Sequence, residues 1–161
     1  MAQRWVVTTV DGGHVRLRSG RIGLMSIDAT APVAGGELVI GEVDVMFRLR
    51  LDLQQMKAGN FLLQGAARGL ISSHGVQTLD YEGRGATSSG GWAVSGTAVG
   101  GSIKVPIDLL ITAIGSPPSP MSEIDISGSA SVGTVHIPLP GIGTVEDFGF
   151  DLEARLAMVP A

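Results

Sequence analysis

The sequence predicts an all-β domain of long antiparallel strands, arranged as an up-and-down barrel or a sandwich. Three observations lead there: long runs in which apolar and polar side chains alternate, glycine doublets between those runs, and a single short stretch that reads as helix. Alternation is clearest from Val43 to Leu53, where Val43, Val45, Phe47, Leu49, Leu51 and Leu53 share one face. Asp44, Met46, Arg48, Arg50 and Asp52 share the other. Successive strand side chains point to opposite sides of a sheet, and no helix sorts residues that way.

The pattern returns near the C-terminus, with Phe148, Phe150, Leu152, Ala154, Leu156 and Met158 opposed to Asp151, Glu153 and Arg155. Half-buried strands of this kind take antiparallel partners. A third run puts Ile103, Val105, Ile107, Leu109 and Ile111 on one face, while its second face changes from Lys104 and Asp108 to Leu110, Thr112 and Ile114. That end calls for a cover on its outer side. The cover is either the short segment Leu53 to Asn60 or another copy of the chain, which would make this face a homo-oligomer interface.

Less regular strands read at Trp5 to Val10, His14 to Arg18, Ile22 to Asp28, Glu37 to Ile40, Phe61 to Ile71, Val76 to Glu82, Trp92 to Ala98, Ile124 to Ser129 and Thr134 to Ile137. The doublets Gly12-Gly13, Gly35-Gly36, Gly90-Gly91 and Gly100-Gly101 read as hairpin turns. Ala86 to Gly90 and Gly115 to Pro120 read as loops, and Leu53 to Asn60 as a helix of about two turns ended by Gly59-Asn60. Both barrels and sandwiches limit the exposed edges that so many strands would otherwise present.

At 161 residues the chain suits one domain spanning 1–161, and a domain of this size buries roughly two thirds of its unfolded surface. With 0 Cys, a disulfide framework, a thiolate metal site and a cysteine nucleophile are all excluded. A net charge of -4 without basic runs argues against nucleic acid, whose backbone demands a basic face. Mean hydropathy is +0.33, yet charges or glycines break every apolar run short of the roughly 20 residues of a spanning helix. The chain is therefore not expected to span a membrane by helices. Val10 runs directly into Asp11-Gly12-Gly13, so no export signal is visible. The expected compartment is the cytoplasm for the chain as written, or the periplasm or exterior if it is a mature form.

No motif points to catalysis. His14, His74 and His136 lie far apart, without a second ligand at metal spacing, and read as turn or surface residues. Asp80-Tyr81-Glu82 places two carboxylates on one strand face, which reads as solvated surface. Ser127-Gly128-Ser129 lacks the flanking glycines of a nucleophile elbow. Gly141-Ile142-Gly143 has Glu146 where a dinucleotide fingerprint has its third glycine. The expectation is a protein with no catalytic residue, no metal and no cofactor.

The order of strands and punctuation resembles the YceI-like family. The resemblance rests on Trp5 with the glycine turn and strand that follow it, on Leu51-Asp52-Leu53 through Tyr81, and on the hairpin Trp92-Ala93-Val94-Ser95-Gly96 with Gly101-Ser102-Ile103-Lys104-Val105-Pro106-Ile107. It implies a lipocalin-like, antiparallel up-and-down β-barrel with at most one or two short helices, of the kind associated with polyisoprenoid lipids. On that reading the chain carries an elongated apolar ligand, such as an isoprenoid lipid, in the barrel interior. The ligand-binding residues are then the bulky inward side chains Val45, Phe47, Leu49, Ile107, Leu109, Phe148, Phe150 and Leu152. The alternative is a structural or assembly module with a filled core that acts through protein-protein contacts.

Overall fold

The structure, a computed structural model, describes residues 3–8, 13–19, 28–58, 77–88, 91–101, 103–116, 119–132, 135–137, 143–145 and 148–161. Its strands are β1 (Gln3–Val7), β2 (His14–Ser19), β3 (Asp28–Ile40), β4 (Asp44–Asp52), β5 (Lys57–Ala58), β6 (Thr78–Ser88), β7 (Gly91–Gly100), β8 (Ile103–Ser116), β9 (Ser119–Val132), β10 (Val135–Ile137), β11 (Gly143–Val145) and β12 (Phe148–Pro160). Eight of them close an antiparallel barrel in the order β2-β3-β4-β6-β7-β8-β9-β12, with β12 returning to β2. The first position is split. β1 and β2 both lie between β3 and β12, one above the other.

Register fixes the barrel's shape. From Pro160 a row of directly paired residues runs through Trp5, Leu38, Phe47, Gly83, Gly96, Ile107 and Ala130 to Phe150, ten residues lower on the strand where it began (160 − 150). Eight strands with a stagger of ten describe a barrel just wide enough for side chains or one small ligand. The end carrying Ile40, Asp44 and Trp92 is called the upper end below, and the end carrying Asp52 and Gly101 the lower.

Several elements differ from the sequence expectation. Gly35-Gly36 is no hairpin but lies inside the thirteen-residue β3, where the register slips between Val33 and Gly35. The extra residue of a bulge switches which parity faces inward. Buried Ala29, Ala31 and Val33 accordingly give way to Leu38. Gly36 is required there, since a Cβ would stand 2.7 Å from Val7 Cγ2. The stretch expected as helix from Leu53 to Asn60 is a 3-10 turn, Leu53–Gln55, whose first amides are capped by Asp52 accepting from Gln54 N at 3.0 Å. Lys57–Ala58 then pairs with β3, so sheet pairing ends the turn before a helix can grow.

β6 and β8 run on into the expected loops as far as Ser88 and Ser116, and β9 begins at Ser119. The expected strand Thr134 to Ile137 is the small β10–β11 hairpin, outside the barrel sheet. The expected strands Ile22 to Asp28 and Phe61 to Ile71 fall on 20–27 and 59–76, outside the described residues apart from Asp28. Gly91 and Gly101 take φ of +135° and +54°, as hairpin glycines do.

The outer wall is charged at mid-strand. Arg50 pairs with Asp80 at 2.7 Å, Arg155 with Asp125 at 2.8 Å, Arg16 with Asp28 at 2.6 Å and Arg48 with Glu82 at 3.6 Å. Arg4 and Glu37 pair in the same way. Such a wall is the reverse of the apolar band that faces lipid in a membrane-spanning barrel. Among the described residues no helix is long and apolar enough to cross a membrane.

Candidate functional site

The inward faces of the strands carry the core. Val45, Phe47, Leu49, Ile107 and Leu109 are buried, with exposures of 2%, 0%, 8%, 5% and 5%. They converge on the barrel interior, as expected. Phe150 and Leu152 also face inward but are only partly buried, and the side chain of Phe148 lies outside the described residues. Val43 is a correction: expected to face inward with Val45, it is 78% exposed. It belongs to the tight turn between β3 and β4, closed by Gly41 N donating to Asp44 O at 2.8 Å, so the strand's alternation begins only at Asp44.

Two regions of the interior differ. Among the described residues, Phe47, Leu38, Ile111, Ile124, Leu156 and Val94 are the largest side chains with exposure under 2%. Once the descent of each row is allowed for, these six stand at one level across the barrel, supplied by β3, β4, β7, β8, β9 and β12. A void wide enough for a ligand would admit water and leave the side chains around it accessible. This layer is therefore filled.

Below it several inward positions are glycine, namely Gly13, Gly36, Gly83, Gly96 and Gly128, while Leu49, Leu109 and Ile126 hold the positions between them. Neighbouring side chains lean into part of that space. A Cβ on Gly83 would lie 2.5 Å from both the Tyr81 hydroxyl and Val94 Cγ1, and one on Gly128 would lie 2.7 Å from Leu109 Cδ2. Tyr81 leans over Gly83, packs 6.2 Å from the Phe47 ring at 52°, and donates from its hydroxyl to the Ile107 carbonyl at 3.0 Å. Burial, aided by the Asp108 charge, pushes its phenol up to about 12.

On the opposite side the inner wall is less well covered. Leu17 of β2, Ala130 of β9, and Phe150, Leu152 and Ala154 of β12 are only partly buried, although their direct partners place them on the inner face. This strip of inner wall, beneath the filled layer and beside the glycine belt, is the candidate site. The sequence marks it faintly. In the run Ser127-Gly128-Ser129-Ala130-Ser131 the serines take one face, and Gly128 and Ala130, the smallest available choices, take the other. Leu17, Ala130 and Ala154 are not among the expected site residues.

A concavity of about 620 Å³ lies on the outer wall between His14, Leu110, Thr112, Asp125, Ser127, Glu153 and Arg155. Its charges are already engaged. Asp125 is held by Arg155, which keeps its carboxyl below the usual range, and Glu153 lies 3.7 Å from Arg16 and 3.6 Å from Arg18. Leu110 is 48% exposed there, so the segment after Leu53 does not cover it. His14 is exposed, His74 lies outside the described residues, as does the side chain of His136, and no three His, Asp or Glu among the described residues gather into a metal-holding group. Compared with models of known protein families and with curated proteins, the sequence matches none.

Proposed function

We propose that the barrel is a non-catalytic binding or carrier protein for an apolar molecule, held in its lower half against Leu17, Ala130, Phe150, Leu152 and Ala154. The observation that carries this reading is the contrast in cover within one interior: a dry layer above and a partly accessible apolar strip below it. Desolvation supplies the affinity, at about 0.8 kcal/mol for each buried CH₂. Among the described residues no polar or charged residue is buried, so nothing in the interior favours an ion. The resemblance to YceI-like barrels supports a branched isoprenoid chain as the ligand class. The filled layer makes the site a blind cup, so a long chain would fold back or emerge at the lower end.

The test is a titration of the protein with farnesol and geranylgeraniol, followed by methyl NMR of the leucines. Saturable shifts at Leu17 and Leu152, abolished in a folded Leu152→Trp variant, are expected. Unchanged methyl resonances at saturating farnesol would end the proposal. The second reading, a structural or assembly module, is favoured by the filled layer and by exposed Val99 and Leu110 on the outer wall. It predicts that Leu152→Trp costs stability by overpacking, roughly 1 to 3 kcal/mol, with no ligand lost.

A further inference from the structure

The chain has 2 Trp, and both indole N–H groups are buried without a hydrogen-bond partner; among the described residues they are the only buried side-chain N or O atoms in that condition. An orphaned buried donor costs about 1 to 3 kcal/mol, and one such group calls for an explanation. Here the two share a location. Trp5 pairs with Leu38 and Trp92 with Ile111, both inward residues at 0% exposure, so both indoles face the interior. β1 and β7 are four steps apart in a barrel of eight positions, hence on opposite walls.

They also stand level. The row from Trp5 reaches β7 at Gly96 after half a turn, and half of the ten-residue descent, five residues, leads back up to Gly91, beside Trp92. Both therefore lie at the upper end, directly above the filled layer. Their rings, with Ile40 and Ala113 at the same end, are only partly buried, although Val45 beside Ile40 and Met158 at that height are buried, so this end is open over part of its rim.

We infer that the upper mouth is a second binding site, distinct from the cup, for a small neutral molecule whose acceptor oxygen takes the N–H of Trp5 or Trp92. The ligand must be an acceptor, because indole nitrogen only donates. It must be neutral, because among the described residues no buried cation is there to compensate an anion. The filled layer keeps it from entering the lower cup, so it is short.

The experiment uses the full chain labelled with ¹⁵N, in which the two indole N–H resonances are read separately while 2-octanone, octanoate and octane are added in turn. With 2-octanone, at least one indole proton moves downfield and saturates; octane moves neither, and octanoate binds at least tenfold more weakly. Trp92→Phe and Trp5→Phe, each checked for native fold by circular dichroism, each remove one resonance. Loss of the responding donor weakens 2-octanone about fivefold, as one net hydrogen bond of about 1 kcal/mol requires. The inference is overturned if neither indole responds to 2-octanone, or if both retain a cross-peak to a buried water in its presence. It is equally overturned if 2-octanone shifts only the methyls of Leu17 and Leu152, an outcome that leaves the cup standing.

Discussion

The filled layer and the strip below it are made of the same kinds of side chain, on strands of the same barrel, and yet one is dry and the other is not. Bulk and its distribution make the difference. At the level of Phe47 every strand that contributes brings a large residue, and Leu38, Ile111, Ile124 and Leu156 have no exposure at all. Below it Gly36 follows Leu38 on β3, Gly96 follows Val94 on β7 and Gly83 lies on β6 between them, and Tyr81 and Leu109 lean over the side nearest to them. On the side formed by β2, β9 and β12, Leu17, Ala130, Phe150, Leu152 and Ala154 stay only partly buried. An accessible apolar strip in a barrel thus comes from where the glycines lie, rather than from any change in hydrophobicity.

The largest expected effect tests that comparison directly. Phe47→Ala, in the filled layer, should destabilise by about 3 to 5 kcal/mol, because it removes transfer energy and leaves a cavity that its packed neighbours cannot close. Leu152→Ala, in the strip, should fall below the usual range of about 2 to 5 kcal/mol for such truncations, since part of its surface is already wet. Denaturant unfolding of both variants gives the values. Equal losses would erase the distinction between the two regions.

A smaller effect concerns Tyr81, which bridges the regions. Its phenol is raised to about 12 by burial, so the folded chain keeps its proton where the unfolded chain has lost it. A raised folded value contributes stability in full below the unfolded pKa of about 10, and this is lost as pH rises through the folded value, on the order of 2 kcal/mol in all. With 1 Tyr in the chain, tyrosinate absorbance reports this residue alone. Its titration should coincide with alkaline unfolding, and Tyr81→Phe should remove the alkaline loss. Ionisation near pH 10 in a still-folded chain would contradict the bridging role.

The smallest effect lies on the outer wall. Arg16 and Arg155 hold Asp28 and Asp125 below the usual carboxylate range through direct hydrogen bonds. A depressed folded value contributes stability above the unfolded pKa of about 3.9, lost as pH falls through the lower folded value. These groups are exposed, so water and salt screen the pairs, and the acid loss should be slight and smaller still in 1 M salt. Thermal unfolding at pH 3 and pH 6, with and without salt, measures it.

Much of this was legible in the residues. Alternation on β4, β8 and β12 put Val45, Phe47, Leu49, Ile107, Leu109, Phe150 and Leu152 on the inner face, because in a strand the period of two is a property of the backbone alone. Gly91 and Gly101 were legible as turns because positive φ is a local demand. Local pattern misled where the decision was made by a neighbour. Gly35-Gly36 reads as a turn, but pairing with β4 on both sides of the slip keeps the chain extended, and Val7 leaves no room for a side chain at Gly36. Leu53 to Asn60 reads as a helix, but β3 takes Lys57 and Ala58 as a strand.

The sequence by itself determined which side chains of β8, of β12 and of β4 from Asp44 onward face the core, since regular alternation along a strand needs no partner to be read. Only the tertiary structure decided what those side chains meet. The ten-residue stagger brings six large residues from different strands to one level, sets glycines beneath them, and carries Trp5 and Trp92 to opposite walls at one height. Stagger is a property of closure around the whole barrel, and no single strand contains it.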